Sequence, residues 1–586
     1  MHAAGRKNGK ISVPVDDSTG KIVNVLQHRF SRALLLLALA ALWMGSAPSY
    51  AASSAIASAH PLATQAGREI LSRGGNAFDA AVTVAAVLAV VEPYSSGLGG
   101  GGFWLFHRAS DRRDIFVDGR EKAPRAARPD TFLAPDGRPL PRASLDGPLA
   151  SAIPGTPAAL AWVSRRYGRL PLRVTLAPAV RLARQGFPVD ARLASMIRLR
   201  SSALRAHPET AALFMPHGQP LRQGMRLRQP QLAQVFEALA RKREAGFYRG
   251  RVARELLRSV RAHGGIWDER DLAGYRIVER APLTFSYQGA KIVAAPPPSS
   301  GGLVLAESLN ILETLPYAKA DTADRIHLAV EAMRRAYQDR ARYLGDPDFV
   351  AIPSARLRSK AYAAERAASI DIDNATPSDA LGPAIDGASG GNNTTHFSIA
   401  DAAGNLAAVT LSINTLFGST FIAGSTGVIL NNEMDDFSLA PGVPNTYGLV
   451  GSAANAIAPG KRPLSSMSPS FVESDRGTLV VGAPGGSRII SMVLLSILDF
   501  VHRPDLSVRD IVSRPRYHHQ YLPDKIEVEP GAFPSDVLQT LELKGHVVEQ
   551  TQRPWGNMQA VFIDRRTRQA AAASDPRGSG SGIAWR

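Results

Sequence analysis

The chain has 586 residues and no cysteine, which excludes thiol nucleophiles, Cys-ligated zinc, iron–sulfur clusters and disulfides together. Apolar residues make up 45% and charged residues 20%, the composition of a folded protein long enough for two domains or one large layered domain. The formal charge of +17 arises wholly before residue 394, as Arg scattered over helical stretches without interleaved aromatics, so a solvated basic face is expected and not a nucleic-acid site.

Near the N-terminus, Ala33–Met44 (ALLLLALAALWM) follows Arg29 and Arg32 and precedes Ser49 and Ala51, small residues at the −3 and −1 positions of a signal-peptidase site. The run is too short to span a bilayer. Residues 1–51 therefore read as a signal peptide cleaved after Ala51, with the mature protein in the periplasm or the medium and no membrane attachment. Ala63–Val91 is predicted helical around a Gly74-Gly75 turn, and GFWLFHR and DIFVDGR are predicted as paired strands. Residues 154–260 read as mainly helical with Pro- and Gly-marked joints, and 324–346 as a further helix. The stretch 371–393, rich in Asp, Asn, Ser and Gly, reads as a mobile tail. From Thr394 strands dominate. Thr395, Phe397 and Ile399 share one face of the first strand, while Thr394, His396 and Ser398 share the other. A turn at Asp401–Asn405 leads to a returning strand, Leu406–Ile413. One helix, SRIISMVLLSILDFV, follows GAPGG.

Two short patterns are accidental. Gly97–Gly102 satisfies GxGxxG without the βαβ unit that a dinucleotide site needs, and is better explained by close approach of backbones. Gly387–Gly391 satisfies GxSxG, but a polar leader and a strand flank it where a nucleophile elbow needs a strand and a helix. No metal-binding spacing is present.

The abrupt change from the polar leader to a strand at Thr394 has a chemical reading. A hydroxyl is a weak nucleophile and needs a base beside it. If Thr394 became the first residue of a new chain, its own α-amino group, with an unperturbed pKa near 8, would serve. The same hydroxyl could make that terminus by attacking the carbonyl of Asn393.

TTHFSIAD, LNNEMDDF, KRPLSSMSP and GAPGGSRI, in this order, resemble the γ-glutamyltransferase (glutathione hydrolase) family of N-terminal-nucleophile hydrolases. The likeness extends from about His60 to Arg577 through RGGNAFDAAV, GLGGGGF, DGREKAP, PGTPAAL, PPPSSGG and ASDPR. It implies an α+β fold, an αββα four-layer sandwich made from one precursor cut at Asn393–Thr394 into a large subunit (52–393) and a small one (394–586). By the same resemblance Thr394 is the nucleophile, with the hydroxyls of Thr395 and Ser412 near its amino group, and Gly485 and Gly486 form the oxyanion hole. Arg120, Ser465 and Ser466 hold the substrate's α-carboxylate; Asn414, Glu433 and Asp436 hold its α-ammonium, Glu433 standing where many relatives have Gln. Tyr447 is the tip of a lid loop. The implied reaction passes the γ-glutamyl group of glutathione or a γ-glutamyl amide to Thr394, then to water or to an amino acid or dipeptide, without a cofactor. The alternatives are a cephalosporin or glutaryl acylase of the same fold and a non-catalytic basic protein binding the cell envelope.

Overall fold

Two antiparallel sheets, of seven and six strands, organise the unit that runs from Ala52 to the C-terminus. The computed structural model describes residues 9–10, 12–14, 53–382, 394–438, 445–449 and 451–586. The apolar run 33–44, the cleavage position after Ala51 and Asn393 lie outside the described residues.

The unit opens with β1 (Ser54–Ser58), α1 (Pro61–Ser72) and α2 (Ala77–Val91), then the hairpin β2 (Gly101–Arg108) and β3 (Arg113–Gly119). A helical stretch follows, including Thr156–Tyr167, α3 (Ala191–Leu199) and Gly250–Ala262. After it come β4 (Val278–Arg280), β5 (Leu283–Tyr287), β6 (Ala290–Ala294), α4 (Gly301–Glu313) and α5 (Thr322–Tyr343). Past Thr394 lie β7 (Thr395–Ala400), β8 (Leu406–Ser412), β9 (Ser470–Glu473), β10 (Gly477–Gly482), α6 (Arg488–His502), β11 (Gln559–Asp564), β12 (Ala570–Ser574) and β13 (Ser581–Trp585).

The larger sheet has the order β13-β1-β7-β8-β2-β3-β4, the smaller β12-β11-β10-β9-β6-β5. Both of these sheets draw strands from either side of residue 394, so neither stretch contains either of them whole. Period-two alternation sorts the side chains into layers. Trp104, Phe106, Phe397 and Ile399 join α2 in one core, whereas Phe103, Leu105 and Phe116 face Phe471, Val480 and Val561 of the other sheet. Helices α4, α5 and α6 cover the far face of that second sheet, which completes the αββα sandwich.

Helix α2 shows why the layers sit close. Its fifteen residues are all buried and rich in Ala and Val, as expected of a helix apolar on every side. The Asn76 side chain accepts from the N–H of Phe78 and Asp79 at 3.0 Å, and the Asp79 carboxylate accepts from Asn76 N–H at 3.0 Å. That capping box fixes its start. Gly99 lets the following loop touch a neighbour: a Cβ there would lie 1.9 Å from the Ile429 carbonyl oxygen.

The predicted mobile tail is corrected over 371–382. Ala375 N–H donates to the Lys544 carbonyl at 2.7 Å, Ser378 N–H to Asp524 at 2.7 Å, and Ser378 Oγ to the Tyr521 carbonyl at 2.7 Å. Polar composition here signals turns and tethers, because Asp and Ser side chains bond backbone as readily as they face water. Residues 383–393 lie outside the described residues.

Candidate active site

Thr394 sits at the mouth of β7, 5% exposed. Its Oγ1 is 3.4 Å from Ser412 Oγ at the end of the neighbouring β8. Ser412 Oγ also accepts from Asn414 N–H at 2.8 Å. Asn414 holds φ at 70°, a left-handed geometry that Asn tolerates, and its Nδ2 donates to the Asn432 carbonyl at 3.0 Å. Strand alternation turns Thr395 to the opposite face, where its hydroxyl meets Glu92 at the end of α2.

Arg120 follows β3 and is fully buried. Asp118 positions its backbone, accepting from Arg120 N–H at 2.9 Å. Each guanidinium nitrogen has an acidic or carbonyl oxygen nearby. Nη1 lies 2.9 Å from Glu433 Oε2 and 3.4 Å from Glu121 Oε2; Nη2 lies 2.5 Å from Asp436 Oδ2. Nε donates to the Pro463 carbonyl at 3.2 Å, and Nη2 also reaches that of Leu464 at 3.4 Å. Three acids share one cation, more than it can pair if all were ionised. Burial pushes the Glu433 and Glu121 carboxyls well up, against the pull of Arg120.

Arg120, Thr394, Ser412, Asn414, Asp436, Tyr447, Ser465, Ser466 and Gly486 all line one cavity. Glu433 lies behind Arg120, and Gly485 and Thr395 are outside the lining. Gly485 and Gly486 precede α6, and a Cβ on Gly486 would lie 2.3 Å from the Tyr447 ring. Tyr447 is itself buried, its hydroxyl donating to the Asn414 carbonyl at 2.7 Å. With that ring in place the cavity measures about 20 Å³, room for little more than a water. Residues 439–444 of the predicted lid loop lie outside the described residues.

The sequence reading missed one cation in this cavity. Arg340, on α5, is 6% exposed; its Nε donates to Ser300 Oγ at 3.0 Å and its Nη2 to Ser466 Oγ at 3.4 Å. Among the described residues no carboxylate pairs with it, and burial lowers its pKa to about 10, leaving it charged at neutral pH. Its position amid the charged residues of α5 gave no local signal.

His396, two residues from Thr394, is locked between the sheets. Its Nδ1 is 2.8 Å from Thr410 Oγ1 and its Nε2 3.1 Å from Ser398 Oγ, and burial lowers its pKa to about 3. Away from the cavity, His327, Glu331 and His546 bring possible metal-ligating atoms together. Arg334 and Arg335 already hold the Glu331 carboxylate, and Arg334 Nη2 is 3.5 Å from His546 Nδ1. Two guanidiniums there supply the positive charge that a cation would bring, so the set does not suit one.

The chain matches the gamma-glutamyltranspeptidase family over residues 63–585. It is 43% identical over 534 residues to a glutathione hydrolase proenzyme of Escherichia coli (strain K12), covering 90% of this chain and 91% of that one. An acylase ACY 1 proenzyme of Pseudomonas sp. (strain V22) is 38% identical over 518 residues, 86% of this chain and 89% of the other. The crystal structure of a cephalosporin acylase from Bacillus halodurans superposes with a TM-score of 0.80 at 28% identity, covering 92% of this chain and 99% of that one.

Proposed function

The chain belongs to the gamma-glutamyltranspeptidase family, and we propose that it is a self-cleaving glutathione hydrolase and γ-glutamyltransferase. The observation that carries this reading is the charge around the Thr394 cavity. The Asp436 carboxylate and an Arg340 that no carboxylate pairs with among the described residues line the same cavity, together with Ser465 and Ser466. That pattern fits a head group bearing both an ammonium and a carboxylate, as a γ-glutamyl group does and a glutaryl chain does not.

In this mechanism the precursor cuts itself at Asn393–Thr394, giving subunits 52–393 and 394–586 that remain associated. The new α-amine accepts the Thr394 hydroxyl proton; His396, neutral and engaged on both ring nitrogens, does not compete for that role. Oγ1 attacks the γ-carbonyl, the oxyanion faces the backbone N–H groups of Gly485 and Gly486 at the start of α6, and the amine of the donor leaves. Water, an amino acid or a dipeptide then takes the γ-glutamyl group from the Thr394 ester. Tyr447 must swing out for a donor of this size to enter. The signal sequence directs the enzyme to the periplasm or the medium; no helix among the described residues is long and apolar enough to cross a membrane.

The kinship with acylases sets the competing reading, a glutaryl or cephalosporin acylase. Purified enzyme separates the two. Chains beginning at Ala52 and Thr394 are expected, with a γ-glutamyl anilide hydrolysed at least about 100-fold faster than a glutaryl anilide, about the discrimination from losing one charged contact. Thr394→Ala should stay one inactive chain. A preference for the glutaryl compound would favour the acylase, and a cleaved Thr394→Ala would remove Thr394 as nucleophile.

A further inference from the structure

Thr394 is a wall between two cavities. Behind it, away from Arg120, lies a second one of about 70 Å³, whose lining includes Glu92, Ser95, Arg192, Pro484, Trp555 and Asn557. Glu92 is the one carboxyl in that lining.

Its placement is costly. Glu92 is 1% exposed and forms the C-cap of α2, so an anion there meets the negative end of a helix dipole. Its Oε2 has no aligned hydrogen-bond partner among the described residues, and neither do Thr395 Oγ1 and Trp555 Nε1 beside it. A packing role would be served as well by an uncharged side chain of the same shape.

The groups facing Glu92 come from several elements. The hydroxyls of Thr395 on β7 and of Tyr94 on the following loop approach it, Arg192 on α3 attracts its charge, and Asp190 at the start of α3 opposes it. Arg577 also lines the cavity but is committed to Glu529 at 2.7 Å and Asp575 at 3.1 Å. Burial raises the Glu92 pKa to about 7, so that acid and carboxylate coexist at neutral pH.

Chain cleavage has a need that the mature enzyme lacks. Before the Asn393–Thr394 bond is cut, the α-amine that would later serve as base is still an amide. His396 is locked, and Glu433 and Asp436 are bound to Arg120.

We propose that Glu92 is the proton-relay group of that cleavage. As Thr394 Oγ1 bonds to the Asn393 carbonyl carbon, the Glu92 carboxylate takes the hydroxyl proton through a bridging water, for which the cavity lined by both residues has room. It returns that proton to the Thr394 nitrogen as the C–N bond breaks. The product is an Asn393 ester on Thr394 with a free amine, Glu92 is regenerated, and water hydrolyses the ester to release the Asn393 carboxylic acid. The proposal rests on the self-cleavage reading given above.

The test follows conversion of full-length single chain to two chains on gels, with the new terminus identified by mass spectrometry. Glu92→Gln should slow cleavage by about 100- to 1,000-fold, the usual size of a lost general base. Glu92→Asp should cleave faster than Glu92→Gln, and formate should restore part of the rate of Glu92→Ala. Wild-type cleavage should accelerate as pH rises through about 7, whereas Glu92→Gln should not. Cleavage of Glu92→Gln within threefold of wild type, with the same pH profile, overturns the proposal. So does equal failure of all three variants with lowered melting temperatures and no effect of formate, which would make Glu92 structural. Thr394→Ala is the control for the underlying reading: if it is cleaved, that reading falls, whereas normal Glu92→Gln beside an uncleaved Thr394→Ala removes the relay alone.

Discussion

Two buried charge networks in this molecule are built from the same side chains in opposite proportions. Around Glu331 on α5, one carboxylate meets two guanidiniums: Oε2 is 2.5 Å from Arg335 Nη1 and Oε1 is 3.1 Å from Arg334 Nε. The surplus positive charge is absorbed nearby, Arg334 pairing with Asp524 and Arg335 donating to the Ser369 carbonyl at 2.6 Å. Burial works to raise the Glu331 pKa, yet the two arginines hold it below the usual carboxylate range. Around Arg120 the ratio is reversed, three acids share one cation, and burial wins, leaving Glu433 and Glu121 raised. The balanced network lines no part of the Thr394 cavity and ties α5 to the 371–382 segment through Thr376 and Ser378. The unbalanced one lines the Thr394 cavity through Arg120 and Asp436. On the proposed function, compensation marks the structural network and its absence the binding one.

The largest expected effect separates the two directly. Arg120→Ala should mature but lose about two to four orders of magnitude in kcat/KM for γ-glutamyl donors, because it removes a cation from the cavity wall and frees Asp436 beside it. Arg335→Ala should show the reverse, with stability lowered by about 3–5 kcal/mol in denaturant titrations and kcat/KM of the folded fraction within about threefold. If Arg120→Ala lost stability and not activity, the distinction would fail.

Next in size is Arg340. Its guanidinium has no acid partner among the described residues and reaches Ser466 Oγ at 3.4 Å, so it should share the substrate's carboxylate with Ser465 and Ser466. Arg340→Gln should raise KM for a γ-glutamyl anilide by about 10- to 100-fold with kcat changed far less, the value of one hydrogen bond to a charged group. An unchanged KM would mean that Arg340 only braces Ser300.

How much of this was legible depends on the range of the interaction. The β7–β8 hairpin could be read directly, because alternation and the Asp401–Asn405 turn are local signals. The motifs around Arg120, Asp436, Ser465 and Gly486 could be read through resemblance, and the structure brings these residues to one cavity. Their pairing could not, since Arg120 and Asp436 are 316 positions apart and nothing in either stretch says that three acids share one arginine. Glu92 was hidden differently: a Glu-Pro step after an apolar helix reads only as its end. The 371–382 segment misled because its anchors, Lys544, Asp524 and Tyr521, all lie beyond Thr394.

The smallest effect tests the comparison at one side chain, Glu433 against its neutral near-isostere Gln. Burial raises the Glu433 pKa in the folded protein, with Glu121 and Asp436 adding to it and Arg120 opposing. A carboxyl whose folded pKa is raised favours folding fully below its unfolded value near 4.5, and that advantage is lost as pH climbs through the folded value. Gln carries no such dependence. Glu433→Gln should therefore melt increasingly above wild type as pH rises from 5 to 9. At pH 7 its kcat/KM should stay within about threefold, because Gln is nearly isosteric with the Glu433 carboxyl, which lies outside the cavity lining, and Asp436 stays on the cavity wall. A melting difference that stayed constant across that range would mean that Glu433 is ionised throughout. It would then be held down by Arg120 as Glu331 is by its two arginines, and burial would not be the stronger influence on it.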